Sequence, residues 1–307
     1  MPRFIQTNGR VRDARSGLVW PADAALSEFP LDWAEALAFV RDLNHSRFQG
    51  HDDWRLPNRR ELFSLVSHQA VNPCIAPPHP FVNVFHGYYW TATTCARLPD
   101  QAWYIHMGGA RVFKGMKPNS YMLWPVRIPA GSAARVLRTG QRRCYGPNGD
   151  IIGCSGTGQD GELCSGLGWD EPRFTEGKDL VRDRATGLTW LKDADLPGGM
   201  RDWPSALDWV RRLNTESAFG HDDWRVPEIR ELEGLVDLGR HTPALPAGHP
   251  FVNVRDFYWS CTTSRYDTRY AWALYLVDGM VGVGYKPLRE FYLWPVRSSA
   301  QPSPARS

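Results

Sequence analysis

His51-Asp52-Asp53-Trp54-Arg55-Leu56-Pro57 recurs as His221-Asp222-Asp223-Trp224-Arg225-Val226-Pro227, 170 positions further on. The match extends in both directions. Upstream, Val11-Arg12-Asp13 and Gly17-Leu18-Val19-Trp20 return as Val181-Arg182-Asp183 and Gly187-Leu188-Thr189-Trp190. Downstream, His79-Pro80-Phe81-Val82-Asn83-Val84 returns as His249-Pro250-Phe251-Val252-Asn253-Val254. The offset falls to 169 for Tyr89-Trp90-Thr91 against Tyr258-Trp259-Ser260, and is restored for Leu123-Trp124-Pro125-Val126-Arg127 against Leu293 to Arg297. A duplicated unit sets the domain count before any element is read. Six tryptophans pair between the copies: Trp20 with Trp190, Trp33 with Trp203, Trp54 with Trp224, Trp90 with Trp259, Trp103 with Trp272 and Trp124 with Trp294. Only Trp169 and Trp209 stand outside. Since an indole buries roughly 150–250 Å², this retention points to a common core rather than to duplicated ligand platforms.

The chain has 307 residues, 42% hydrophobic and 22% charged, with a net charge of +3. Such a balance describes a globular protein of about two domains and excludes disorder and collagen. No apolar run approaches the roughly 20 residues needed to cross a bilayer. Met1 to Val19 lacks the unbroken apolar stretch of a secretory signal, so the expectation is that the protein stays inside or that a leader has been removed. Charge sums to +4 over residues 1–127, −1 over 128–171 and 0 over 172–307, too even a field for nucleic-acid binding. Of 36 cations, 31 are Arg, which suits forked contacts with carboxylate or sulfate oxygens, although codon bias gives the same result. The expected division is a first repeat over 1–129, a Gly-rich connector over 130–171, a second repeat over 172–298 and a flexible tail over 299–307.

Within a copy, Trp33, Ala36, Leu37, Val40 and Leu43 recur at spacings of three and four, predicting an amphipathic helix over 32–44 capped by Asp32 with Glu35. The second copy keeps the stripe with Asp202 at the cap. Asn58 with Glu61 predicts a second capped helix carrying Leu62, Leu65 and Val66 inward; Glu228 in place of Asn58 predicts a weaker cap in the other copy. The runs 88–94, 102–107, 110–115 and 121–127 are aromatic or β-branched and separated by Gly, Pro and Asn, which predicts antiparallel strands. Helices followed by a meander give an α+β domain. Between the copies, turn signals at Pro147-Asn148-Gly149-Asp150 predict a hairpin in the connector.

The ordered set of a Trp-led amphipathic helix, Asp-Trp-Arg-Leu-Pro-Asn-x-x-Glu-Leu, Tyr-Trp-Thr and a closing Trp-Pro-Val-Arg resembles the bacterial domain of unknown function 1566, also called the Legionella collagen-like protein C-terminal domain. The resemblance covers nearly all of both copies. Its layout is similar to C-type lectin-like domains, which implies two tandem C-type lectin-like domains, each with two helices and a small antiparallel sheet. By the same analogy the first strand, 17–20, pairs with the last, 123–127. The resemblance further implies a surface or secreted, extracellular binding module for adhesion, in the best-known case recognising sulfated glycosaminoglycans. The calcium-type sugar signatures Glu-Pro-Asn, Gln-Pro-Asp and Trp-Asn-Asp are absent, so calcium-dependent mannose or galactose binding is not implied.

No constellation of catalytic type stands out. Asp52-Asp53 and Asp222-Asp223 lack the further oxygens that calcium requires. One carboxylate of each pair is expected to accept from loop N–H groups and the other to meet an Arg, Arg55 or Arg127. His51, His79 and their counterparts His221 and His249 lack zinc-ligand spacing and are expected to bond to backbone. No metal and no cofactor are expected. Cys74 and Cys95 are both missing from the second copy, where Ala244 and Ser264 stand, which predicts either a Cys74–Cys95 disulfide worth ~3 kcal/mol or two buried thiols. Cys144 and Cys154 flank the connector turn and form a second candidate pair, whereas Cys164 and Cys261 have no obvious mates. For anion recognition the candidates are Arg97, Arg111, Lys114 and Lys117 in the first copy and Arg265, Arg269, Lys286 and Arg289 in the second, against a solvated strand face as the alternative. Lys117-Pro118 and Lys286-Pro287 recur, which singles out those lysines.

The expectation is therefore a non-enzymatic recognition protein binding an anionic, sulfated polysaccharide or a protein partner, without nucleic acid and without membrane insertion. Two alternatives stand beside it. One is an oxidase similar to the formylglycine generators, which need an active cysteine pair and copper; neither Cys74 nor Cys95 lies in a comparable motif. The other is an intracellular or phage-like scaffold.

Overall fold

The computed structural model describes residues 2–132 and 135–298; the expected tail over 299–307 lies outside them. The first repeat opens with β1 (Phe4–Thr7), β2 (Arg10–Asp13) and β3 (Val19–Pro21), an antiparallel sheet. Thr7 pairs with Arg10 across Asn8-Gly9, both at positive φ, so the link is the two-residue turn that matches the twist of a hairpin. Next come α1 (Trp33–His45) and α2 (Arg59–Leu65). Asp32 accepts from the Glu35 N–H at 2.8 Å and Glu35 returns to the Asp32 N–H at 2.9 Å; Asn58 and Glu61 repeat the reciprocal bonds at 3.0 and 2.9 Å. Both helix starts are thus fixed by two otherwise orphaned donors. A meander of β4 (Tyr88–Thr94), β5 (Gln101–His106) and β6 (Val112–Met116) follows.

The connector holds the expected hairpin, β7 (Cys144–Tyr145) with β8 (Ile151–Ile152), and one turn of helix, α3 (Asp160–Leu163). The second repeat runs β9 (Phe174–Glu176), β10 (Leu180–Asp183), β11 (Leu188–Leu191), α4 (Trp203–Thr215), α5 (Ile229–Leu235), β12 (Phe257–Thr263), β13 (Tyr270–Tyr275), β14 (Met280–Tyr285) and β15 (Val296–Ser298). Glu231 still accepts from the Glu228 N–H at 2.8 Å. The ends of each repeat meet: Val19 bridges Arg127, and Thr189 pairs with Arg297.

Two expectations need correction. A run over 121–127 does not form a fourth meander strand in the first repeat. Its residues bridge one at a time to Leu31, Tyr89, Arg55 and Val19, and Pro125 removes a donor that a continuous ladder would need. Nor does each domain hold one small sheet. The two meanders join into a six-stranded sheet in the order β12-β13-β14-β6-β5-β4, besides the terminal sheet of each repeat.

The join is symmetric. Val112 of β6 pairs with Val281 of β14, and these are equivalent positions at the 169 offset. Arg60 donates to the Val236 carbonyl at 2.7 Å, while its counterpart Arg230 donates to the Val66 carbonyl, Val66 being the counterpart of Val236. A pseudo-two-fold axis therefore passes through the β6–β14 contact. One apolar core runs across it, from Trp20, Trp103 and Trp124 to Trp190, Trp272 and Trp294; smaller clusters under α1 and α4 belong to one repeat each. Eleven of the twelve paired indoles are buried, Trp203 being half-buried.

Candidate functional site

Most of the expected anion-binding cations are committed elsewhere. Lys117 is buried, donates to the Tyr145 and Gly146 carbonyls at 3.1 and 2.9 Å, and lies 4.4 Å from the Trp33 ring. Burial pulls its ammonium down to about 8, against the opposing pull of Asp100. Lys286 stacks 4.2 Å from Trp203 and donates to the Thr263 hydroxyl at 2.9 Å. The recurring Lys-Pro is thus a cation–π lock on the leading tryptophan of α1 and α4. Lys114 pairs with Asp278 across the axis, Arg269 with Asp267 at 2.7 Å and Arg289 with Asp202 at 3.6 Å. Arg97, Arg111 and Arg265 are exposed, with no ion-pair partner among the described residues.

Of these three, Arg111 borders a cleft. It lies on the seam between the repeats, encloses about 370 Å³, and takes His106, Gly109 and Arg111 from one side and Tyr266, Tyr270 and Trp272 from the other. Trp272 is buried and forms the floor; Tyr266 is 73% exposed, leaving most of a phenol ring free at the rim. Burial, with the nearby Arg111 charge next, holds the His106 imidazole below its ordinary range, which favours the neutral ring. The opening follows from divergence of the copies. At the mirror position Lys114 replaces Val283, Asp278 replaces Gly109, and their ion pair fills the space, with Lys114 5.4 Å and Arg59 4.5 Å from the Trp103 ring. The cleft thus has the small Gly109 from the first repeat and the apolar Val283 from the second, where its mirror position has the charge pair of Asp278 and Lys114. Sequence reading singled out Arg111 but missed Tyr266 and Tyr270, because nothing local signals that two meanders meet edge to edge.

The carboxylate pairs follow the expectation only in the member that meets an Arg. Asp53 receives both arms of Arg127, at 2.6 and 3.0 Å, and Asp223 receives Arg297 at 2.6 Å, whereas Asp52 meets Arg47 at 3.3 Å on the surface instead of loop N–H groups. Arg55 turns instead to Glu61, and Arg225 to Glu231 at 2.5 Å. The histidines do not follow the backbone-bonding expectation uniformly: His51 contacts the Arg10 side chain, while His79 and His249 lie against Phe81 and Phe251.

Cys144 and Cys154 are disulfide-bonded, with Cα atoms 5.2 Å apart. Cys74 and Cys95 are free, which corrects the proposed bridge in favour of two buried thiols. Cys74 donates its N–H to the Met107 carbonyl, just past the end of β5, and Cys95 to that of Gln101, at its start. Six residues of strand separate those points by about 20 Å, whereas a disulfide needs Cα atoms within roughly 7 Å. Burial raises both thiols, Cys74 to about 12, so neither forms a thiolate at neutral pH.

Two segments match a known family. The profile of the Lcl C-terminal domain covers residues 9–127 and again 179–297. Compared with curated proteins, the chain matches none. The two matched segments take in α1, α2, α4 and α5 and the strands of both meanders and leave the connector outside, so the chain belongs to the Lcl C-terminal domain family, as two tandem copies.

Proposed function

We propose that the chain is a non-enzymatic, surface-associated or secreted recognition protein whose two lectin-like domains bind an anionic, sulfated polysaccharide at the seam cleft. The observation that carries this reading is Arg111, an unpaired guanidinium beside the exposed ring of Tyr266. An aromatic face stacks on the apolar side of a sugar while a guanidinium fork takes a sulfate or carboxylate. Helix, helix and meander in that order, with the ends of each repeat joined, support the lectin-like layout. The Cys144–Cys154 bond supports an oxidising compartment. The buried thiols weigh against an oxidase similar to the formylglycine generators, whose chemistry needs reactive cysteines. Retention on a heparin column at low salt, with earlier elution of Arg111→Ala and Tyr266→Ala, is the expected result. Passage of the native protein without retention overturns the reading.

A further inference from the structure

A second cleft, which shares no lining residue with the seam cleft, is built largely by the connector and lies mostly outside the family-matched segments. It encloses about 440 Å³, and four guanidinium groups border it: Arg138, Arg142, Arg143 and Arg240. Only two carboxylates, Glu171 and Asp237, share its walls. Asp237 is largely engaged already, buried and accepting from the Gly239 N–H at 2.9 Å, with Arg240 3.9 Å away. Arg142 and Arg143 are exposed, and among the described residues neither has an ion-pair partner.

Arg138 is held in place before any ligand arrives. Its N–H donates to the Leu167 carbonyl at 2.9 Å, its own carbonyl accepts from Arg60 at 2.6 Å, and its guanidinium lies 4.9 Å from the Trp169 ring. Its Nε is buried with no hydrogen-bond partner, a costly state for a charged donor. Gly140, at φ +93°, brings backbone so close to Asp237 that a Cβ there would collide with the carboxylate. The wall is therefore shaped by connector and second repeat together. Trp169, one of the two indoles without a counterpart, serves as the platform that orients Arg138.

We propose that this connector cleft is an oxyanion site, taking a small ligand that carries two or more carboxylate, sulfate or phosphate groups. Converging, partly pre-oriented forks with a surplus of positive charge match that chemistry, and the volume suits a ligand of one to three sugar units. The site is independent of the seam cleft. Its test is calorimetric titration of the full chain at low ionic strength with trigalacturonate, inorganic sulfate and neutral maltotriose. Trigalacturonate or sulfate binds, maltotriose does not, and the double variant Arg142→Glu with Arg143→Glu weakens binding at least ten-fold, while Arg111→Ala leaves it unchanged. Both arginines are exposed, so an unaltered melting temperature confirms that the double variant is folded. Trigalacturonate binding more tightly than sulfate assigns the anion to a saccharide; equal binding assigns it to a free oxyanion. Absence of binding by both anions, equal binding by maltotriose, or loss in Arg111→Ala with retention in the double variant overturns the proposal, and the last of these leaves the seam reading standing.

Discussion

His68 stands where the second repeat has Leu238, packed edge-on against Phe63 and Trp272 with ring centroids 5.6 and 4.8 Å away. Burial, reinforced by the charge of Arg230, lowers its imidazole to about 3. A histidine depressed in the folded state contributes stability that is complete above pH 6.5 and lost as pH falls from there toward 3. His68→Leu, which copies the other half, is expected to flatten the acid side of the stability profile; urea midpoints at pH 7 and pH 4.5 measure it, and an unchanged difference between the two refutes the assignment. Asp160 acts with the opposite sign. Fully buried, it accepts from the Thr93 and Thr139 hydroxyls at 2.7 Å each, and desolvation raises its carboxyl to about 6. Its contribution is complete below pH 3.8 and lost as pH rises through 6, a loss on the order of 3 kcal/mol. Asp160→Asn is expected to remove that loss, read as a smaller fall in urea midpoint between pH 5 and 7.5 than in the native protein.

At the level of elements, what periodicity and capping could reveal was legible. The leading helix, expected over 32–44, forms over Trp33–His45, because Asp32 and Glu35 announce its start and the tryptophan stripe its buried face. The connector hairpin was legible from Asn148-Gly149. β1 was not read, although Asn8-Gly9 is a comparable signal, since its strand shows little apolar alternation. Arg59 and Arg60 look like surface residues on a short helix, yet both are buried at the seam, where Arg60 meets Glu233 at 3.1 Å. A contact between elements 173 residues apart leaves no local trace. The same holds for Lys117, whose real partners, Tyr145 and Gly146, lie in the connector. Lys117→Ala is expected to loosen β7–β8, raising amide exchange across 144–154 several-fold, whereas Lys286→Ala, whose lysine touches no connector carbonyl, leaves that segment protected. Equal effects would remove Lys117 from this role.

For the molecule as a whole, the continuous core and the six-stranded sheet make the repeats one cooperative unit. Scanning calorimetry is expected to give a single unfolding transition; two resolved transitions would show that each copy melts by itself. The axis through Val112 and Val281 has the form of a two-fold homodimer interface drawn within one chain. It also imposes an order on synthesis. As the polypeptide leaves the ribosome, β6 is made with its outer edge bare and Arg59 and Arg60 without their eventual partners, and Val281 emerges only 169 residues later. At about 5–20 residues per second that interval is on the order of ten to thirty seconds. During it the nascent first half offers an open strand edge to any neighbouring nascent chain, so translation speed through the connector governs how much newly made protein reaches its native pairing and how much is lost to aggregation.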